Sequence, residues 1–158
     1  MQLSDLRHFL AETTIVITAI TLIYVAIADL REFKIRNEFV ISLACLFGIY
    51  SLLSGQWVSV YWNIAIAVFM FAVLLAFYSQ NWMGGGDVKI LTVGFLWVGI
   101  HYALPFAVLL LLASLAQVLA AKCKLTKVLH LNGRARMAFA PSVAAALIGV
   151  FVLRWVGI

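Results

Sequence analysis

Two uninterrupted apolar stretches, each much longer than one helix needs to cross a bilayer, decide what this chain can become. Phe39 to Gly86 contains no Asp, Glu, Lys or Arg, and neither does Ile90 to Ala121. Shorter charge-free runs cover Thr13 to Ala28 and Met137 to Leu153. A crossing helix takes about 20 predominantly apolar residues, so each long stretch is expected to fold back once. Ser54-Gly55-Gln56 is the turn signal in the first, and His101 with Pro105 marks the break in the second. The resulting pattern is six helices, near 10–29, 38–53, 57–78, 88–100, 105–121 and 137–155. No period-two alternation of the kind a barrel needs is visible, and lipid leaves helices as the remaining way to satisfy the backbone. The expected fold is all-α, a polytopic transmembrane bundle forming one domain over residues 1–158.

Composition supports lipid contact. Apolar side chains make up 66% of the chain and charged ones 11%, against about 45–50% and about 25% in soluble domains. The formal charge of +5 is too thinly spread for a nucleic-acid binder. Cys45 and Cys123 form no CxxC pair, so neither a redox motif nor a zinc site is indicated.

Arginine and lysine placement gives an orientation. Arg31, Lys34, Arg36, Lys89, Lys122, Lys124, Lys127, Arg134 and Arg136 fall on one side, while Arg7 and Arg154 fall on the other. The rule that basic loops stay inside puts 30–37, 79–87 and 122–136 in the cytoplasm and both termini outside. Ala26-Ile27-Ala28 imitates a signal-peptide cleavage site, but Asp5 and Glu12 beside a single Arg7 are the wrong leading charges. The basic 122–136 segment reads as a topology determinant touching anionic headgroups. The five tryptophans fall mostly near expected helix ends, as an interfacial belt would place them.

Asp29 and Asp87 stand out among the six acidic residues because they adjoin apolar runs instead of lying in loops. A carboxylate at membrane depth costs roughly 2.5–3.5 kcal/mol on insertion scales. An even number of crossings separates the two, so both belong at the cytoplasmic end of the bundle. Asp29 has a purely structural alternative, ending its helix in a pair with Arg31 or Lys34. Asp87 has another, as the N-cap of the fourth helix. Gly84-Gly85-Gly86 before Asp87 weighs against that alternative, because glycines at a helix start serve positive φ or close approach of another backbone. Here they would admit an extended peptide beside Asp87. Two carboxyl groups sharing a proton support peptide hydrolysis, with the charged member taking a proton from water and the neutral one polarising the carbonyl. The pair is expected within reach of one bridging water. His8, His101 and His130 have no metal-ligand spacing, and no GxSxG or phosphate loop is present. No metal and no cofactor is expected.

Gly84-Gly85-Gly86-Asp87-Val88-Lys89 resembles the GxGD signature of intramembrane aspartic proteases, in the form carried by type IV prepilin leader peptidases. Asp29-Leu30-Arg31 through Ile35-Arg36-Asn37 resembles the partner motif, an aspartate followed by a loop ending Ile-Pro-Asn, with Arg36 in place of the proline. Ala138-Phe139-Ala140-Pro141 resembles a weaker third element. The resemblance implies catalytic Asp29 and Asp87, with Gly84, Gly85, Gly86, Lys89 and Asn37 supporting. It further implies a prepilin or pseudopilin substrate and an inner-membrane location. The short 30–37 loop without cysteines resembles the small peptidases of tight-adherence (Flp) pilus systems and not the bifunctional members that also N-methylate. Glu32 and Glu38 are the acids nearest to greet a basic leader. Two other functions fit the same acids: a small proton-coupled transporter, and a non-catalytic membrane subunit of a secretion or pilus machine.

Overall fold

The computed structural model describes residues 3–55, 57–123, 129–131 and 134–157. Gln56, Lys124 and Lys127 lie outside the described residues. Six helices are present among them: α1 (Leu3–Glu32), α2 (Asn37–Ser54), α3 (Trp57–Ser79), α4 (Gly85–Val98), α5 (Ala103–Lys122) and α6 (Ala140–Val156). An all-helical membrane bundle is the outcome, with one addition. Between α5 and α6, β1 (Leu129–Leu131) pairs antiparallel with β2 (Arg134–Arg136), where only a loop was expected.

Helices α1, α2, α3 and α5 are long and apolar enough to cross a membrane, which makes this a multi-pass membrane protein. α6 is a shorter apolar helix. α4, with 14 residues, rises only about 21 Å at about 1.5 Å per residue, less than the roughly 30 Å of a hydrocarbon core. It is nevertheless the best-covered helix. Val88, Ile90, Leu91, Val93, Gly94, Phe95, Trp97 and Val98 are buried and cover well over half of its circumference, leaving a narrower side to Lys89, Thr92 and Leu96. A helix buried over so much of its surface belongs in the middle of a bundle.

The packing follows from that. α1 lies against α2 and α6, and α4 lies against the same two helices, so α1, α2, α4 and α6 close a ring with α1 and α4 at opposite corners. α3 sits outside on α4, and α5 sits outside on α6 while touching α4. The outer helices expose large apolar side chains such as Val68 and Phe69 on α3 and Leu111 and Leu112 on α5. In a membrane these faces meet lipid.

Two expectations need correction. Trp97 is not interfacial. It is 2% exposed, donates its indole N–H to the Leu43 carbonyl at 3.0 Å, and packs against Phe47, Tyr50 and Phe151. Its indole N–H finds a partner inside the bundle, so the water of the interface is not needed. Trp62, Trp82 and Trp155 are exposed. The break after α4 is made by Gly99, not Pro105. Gly99 has φ +67 and ψ −173, a region open essentially to glycine alone. Pro105 falls in the first turn of α5, where a missing N–H forfeits nothing.

Candidate active site

The buried face of α1 is a helical stripe of Ala11, Thr14, Thr18, Leu22, Val25 and Asp29. Thr14 and Thr18 satisfy their hydroxyls on the carbonyls of Leu10 and Thr14, each at 2.8 Å, so they cost little in an apolar setting. Asp29 continues this stripe and is 4% exposed. It lies inside α1, one turn before the end. The Phe33 N–H closes that turn on the Asp29 carbonyl at 2.8 Å, with Phe33 itself left-handed at φ 50.

The Asp29 side chain pairs with neither Arg31 nor Lys34. Its Oδ2 accepts the Ala140 N–H at 2.9 Å. Ala140 is the first residue of α6, and its N-cap, Phe139, offers no side-chain cap. The first amides of a helix have no partner within it. Pro141 lacks an N–H, and the Ser142 and Val143 amides turn back to the Phe139 carbonyl. The remaining amide, that of Ala140, is capped from another helix by Asp29. The Asp29 oxygen thus satisfies an amide that would otherwise be buried without a partner.

Asp87 is not an N-cap. Gly84 holds that position, with extended φ −76 and ψ 146, and Asp87 is the third helical residue of α4. Its N–H bonds the Gly84 carbonyl at 3.1 Å. Its half-buried carboxylate folds back over Gly84, so that a Cβ there would stand 3.1 Å from Oδ2. A carboxylate in a first helical turn is favoured by the helix dipole.

None of the three glycines adopts a positive φ, so close approach is their use. A Cβ on Gly86 would stand 3.3 Å from the Ile35 side chain, and one on Gly85 would touch Tyr78 at 3.4 Å. Gly86 thus lets the α1–α2 loop lie directly on the start of α4. One step further along, Lys89 Nζ donates to Asn37 Oδ1 at 2.9 Å, tying α4 to the first residue of α2. The motif around Asp29 and the motif around Asp87 therefore meet at one end of the ring. Asp29 is held by α6 there, and Gly86 and Lys89 are held by the loop and helix that follow Asp29.

Arg36, the residue replacing proline, is the N-cap of α2 at φ −75 and ψ 140. Its guanidinium binds Glu38 at 2.7 Å, which keeps the guanidinium pKa above its ordinary value. Glu38 is thus already engaged.

Residues absent from the sequence reading complete this end. Gln117 on α5 donates to the Ala138 carbonyl and accepts from the Ser142 hydroxyl, clasping the turn that leads into α6. A lone amide in an otherwise apolar helix was the available signal.

The opposite end holds a cavity of about 580 Å³ bordered by Ser59, Asn63, Val98, His101, Tyr102 and Arg154. It contains neither aspartate, and His101 borders this opening. Among the described residues no group of three or more His, Cys, Asp or Glu side chains is placed to hold a metal.

Residues 16–121, about two thirds of the chain, match the type IV leader peptidase family. The chain belongs to that family. The matched segment includes both aspartates, the three glycines, Asn37, Lys89 and Gln117, and it ends before the Ala138–Pro141 turn. No curated protein and no solved structure matches the chain. Family membership makes it a peptidase-type membrane protein.

Proposed function

We propose that this leader peptidase is an aspartic endopeptidase that removes the short basic leader from Flp-type prepilins or pseudopilins, without N-methylating the product. The observation that carries the reading is the joining of the Asp29 and Asp87 segments at one end of the ring through Ile35–Gly86 and Asn37–Lys89. Asp29 and Asp87 are the catalytic pair. Gly84, Gly85 and Gly86 give the close approach, and Lys89 with Asn37 sets the distance between the two segments. The proposed location of this end is the cytoplasmic face of the inner membrane, with both chain termini outside, and the basic residues nearest it support that sidedness. A prepilin leader waits at that level.

In the reaction one ionised carboxylate removes a proton from water as the water oxygen adds to the scissile carbonyl carbon. The other carboxyl group donates its proton to the carbonyl oxygen. Collapse of the tetrahedral diol breaks the C–N bond, and the leaving amine takes a proton from the pair. The two groups titrate together, so base and acid are not assigned separately.

A second reading, in which the chain is a non-catalytic membrane subunit, is favoured by the cap that Asp29 places on Ala140. Asparagine separates the two. Asp29→Asn keeps a carbonyl acceptor for Ala140 but cannot exchange a proton, and Asp87→Asn likewise keeps shape. Each variant is expected to lower cleavage of a co-expressed Flp-type prepilin by about 10²–10⁴-fold. The assay is N-terminal sequencing of the product. Normal cleavage by either variant overturns the dyad.

A further inference from the structure

Asp29 is held by a backbone amide, so whatever holds that amide also sets Asp29. We propose that Gln117 is a positioning residue that fixes the Ala138–Ser142 turn and, through the Ala140 N–H, the orientation of the Asp29 carboxylate. This rests on the assignment of Asp29 to the catalytic pair.

The chain of contacts is continuous. Gln117 donates Nε2–H to the Ala138 carbonyl, and its Oε1 accepts from the Ser142 hydroxyl. These two groups bracket Ala140, whose N–H reaches Asp29 Oδ2 at 2.9 Å. Beyond the Ser142 and Val143 amides on the Phe139 carbonyl, the turn has little else to define it. Phe139 contributes no side-chain cap, and the residues inside the turn, Ala140 and Pro141, bring no polar side chains. Ala138, Ala140 and Ser142 are all buried, so water does not substitute for the amide. Gln117 is also the one polar side chain between Ser114 and Lys122 on a helix that mostly faces lipid. An amide suits the task because it donates and accepts from one planar group, whereas an ionised carboxylate on the same stem only accepts.

The experiment compares the full-length chain in lipid nanodiscs with Gln117→Met, which keeps the side chain's length and removes both hydrogen bonds. Ser142→Ala removes one of them, and the double variant removes the set. Two readouts are taken. Hydrogen exchange at the Ala140 amide, read by mass spectrometry over 138–143, reports the clasp without requiring activity. It is expected to quicken by about tenfold in Gln117→Met. Cleavage of a prepilin-type substrate is expected to show kcat lowered about tenfold with KM unchanged, while the melting temperature stays near that of the parent. The double variant is expected to fall no further than Gln117→Met alone, because both act through one contact set. Parent-like exchange and parent-like kcat in Gln117→Met overturn the proposal, as does a loss of activity that only tracks a loss of folded protein in both single variants. If the parent cleaves, Asp29→Asn abolishes cleavage and Gln117→Met does not change it, the positioning role fails alone. If Asp29→Asn still cleaves while exchange quickens in Gln117→Met, the dyad fails and the clasp is only structural.

Discussion

Asp29 carries two duties that single substitutions can separate. Its carboxylate is the cap of α6 as well as a candidate proton carrier, and the first duty concerns stability while the second concerns rate. Asp29→Ala leaves a buried Ala140 N–H without a partner, an omission worth about 1–3 kcal/mol. Denaturant unfolding in micelles is expected to register that loss for alanine and to show little of it for asparagine. Arg36 gives a second residue-scale expectation. Its φ of −75 lies within the range a proline ring enforces, and its position just before α2 needs no N–H inside the helix. The loop therefore keeps a proline-compatible shape with arginine in place. Arg36→Pro loses the exposed pair with Glu38, gains stiffness in the unfolded chain, and is expected to move the melting temperature by no more than about 2–4 °C.

Between elements, the turn from α4 to α5 shows how one glycine sets a helix length. Gly99 ends α4 in a backbone region denied to other residues, and a Cβ there would collide with the Asn63 side-chain oxygen on α3. Even if Asn63 swings away, the backbone strain of Gly99→Ala is about 1–3 kcal/mol. Calorimetry of the variant is expected to show that loss. Cleavage by the folded fraction is expected to be unchanged, because Gly99 lies at the end of α4 away from Asp87. The opposite terminus of the same helix uses its glycines differently. Gly86 keeps φ negative and serves only to let Ile35 approach. The sequence shows only glycine at both ends, and the physical uses differ.

For the molecule as a whole, the ring explains how the Asp29 and Asp87 segments come together at one end of a bundle whose outer faces are apolar. α2 and α6 each contact both α1 and α4, and each also fastens one motif: α2 through Asn37 to Lys89, α6 through Ala140 to Asp29. Membership of the type IV leader peptidase family agrees with a chain built this way. Sidedness is tested with the two native cysteines. Cys123 is exposed at the α5 end that shares the aspartate side, whereas Cys45 is exposed midway along apolar α2. A membrane-impermeant maleimide is expected to label Cys123 in inverted inner-membrane vesicles and not in intact cells, and to leave Cys45 unlabelled in both. Labelling of Cys123 from outside the cell overturns the proposed orientation.

Much of this was legible in the residues themselves. Charge-free runs of helix-spanning length dictated a multi-pass helical bundle, because lipid offers the backbone no other partner. Asp29, Asp87 and the glycines could be singled out because a carboxylate next to an apolar run is costly and three consecutive glycines precede one of the two. Local sequence could not say which neighbour each group meets. That Asp29 caps a helix 111 positions later, that Trp97 lies in the core, and that Gln117 clasps the turn before α6 are long-range pairings. Hydrophobic periodicity has no power over them, since an all-apolar helix presents no preferred face. Only the packing of six helices against one another chose the faces, and with them the partners of every buried polar group.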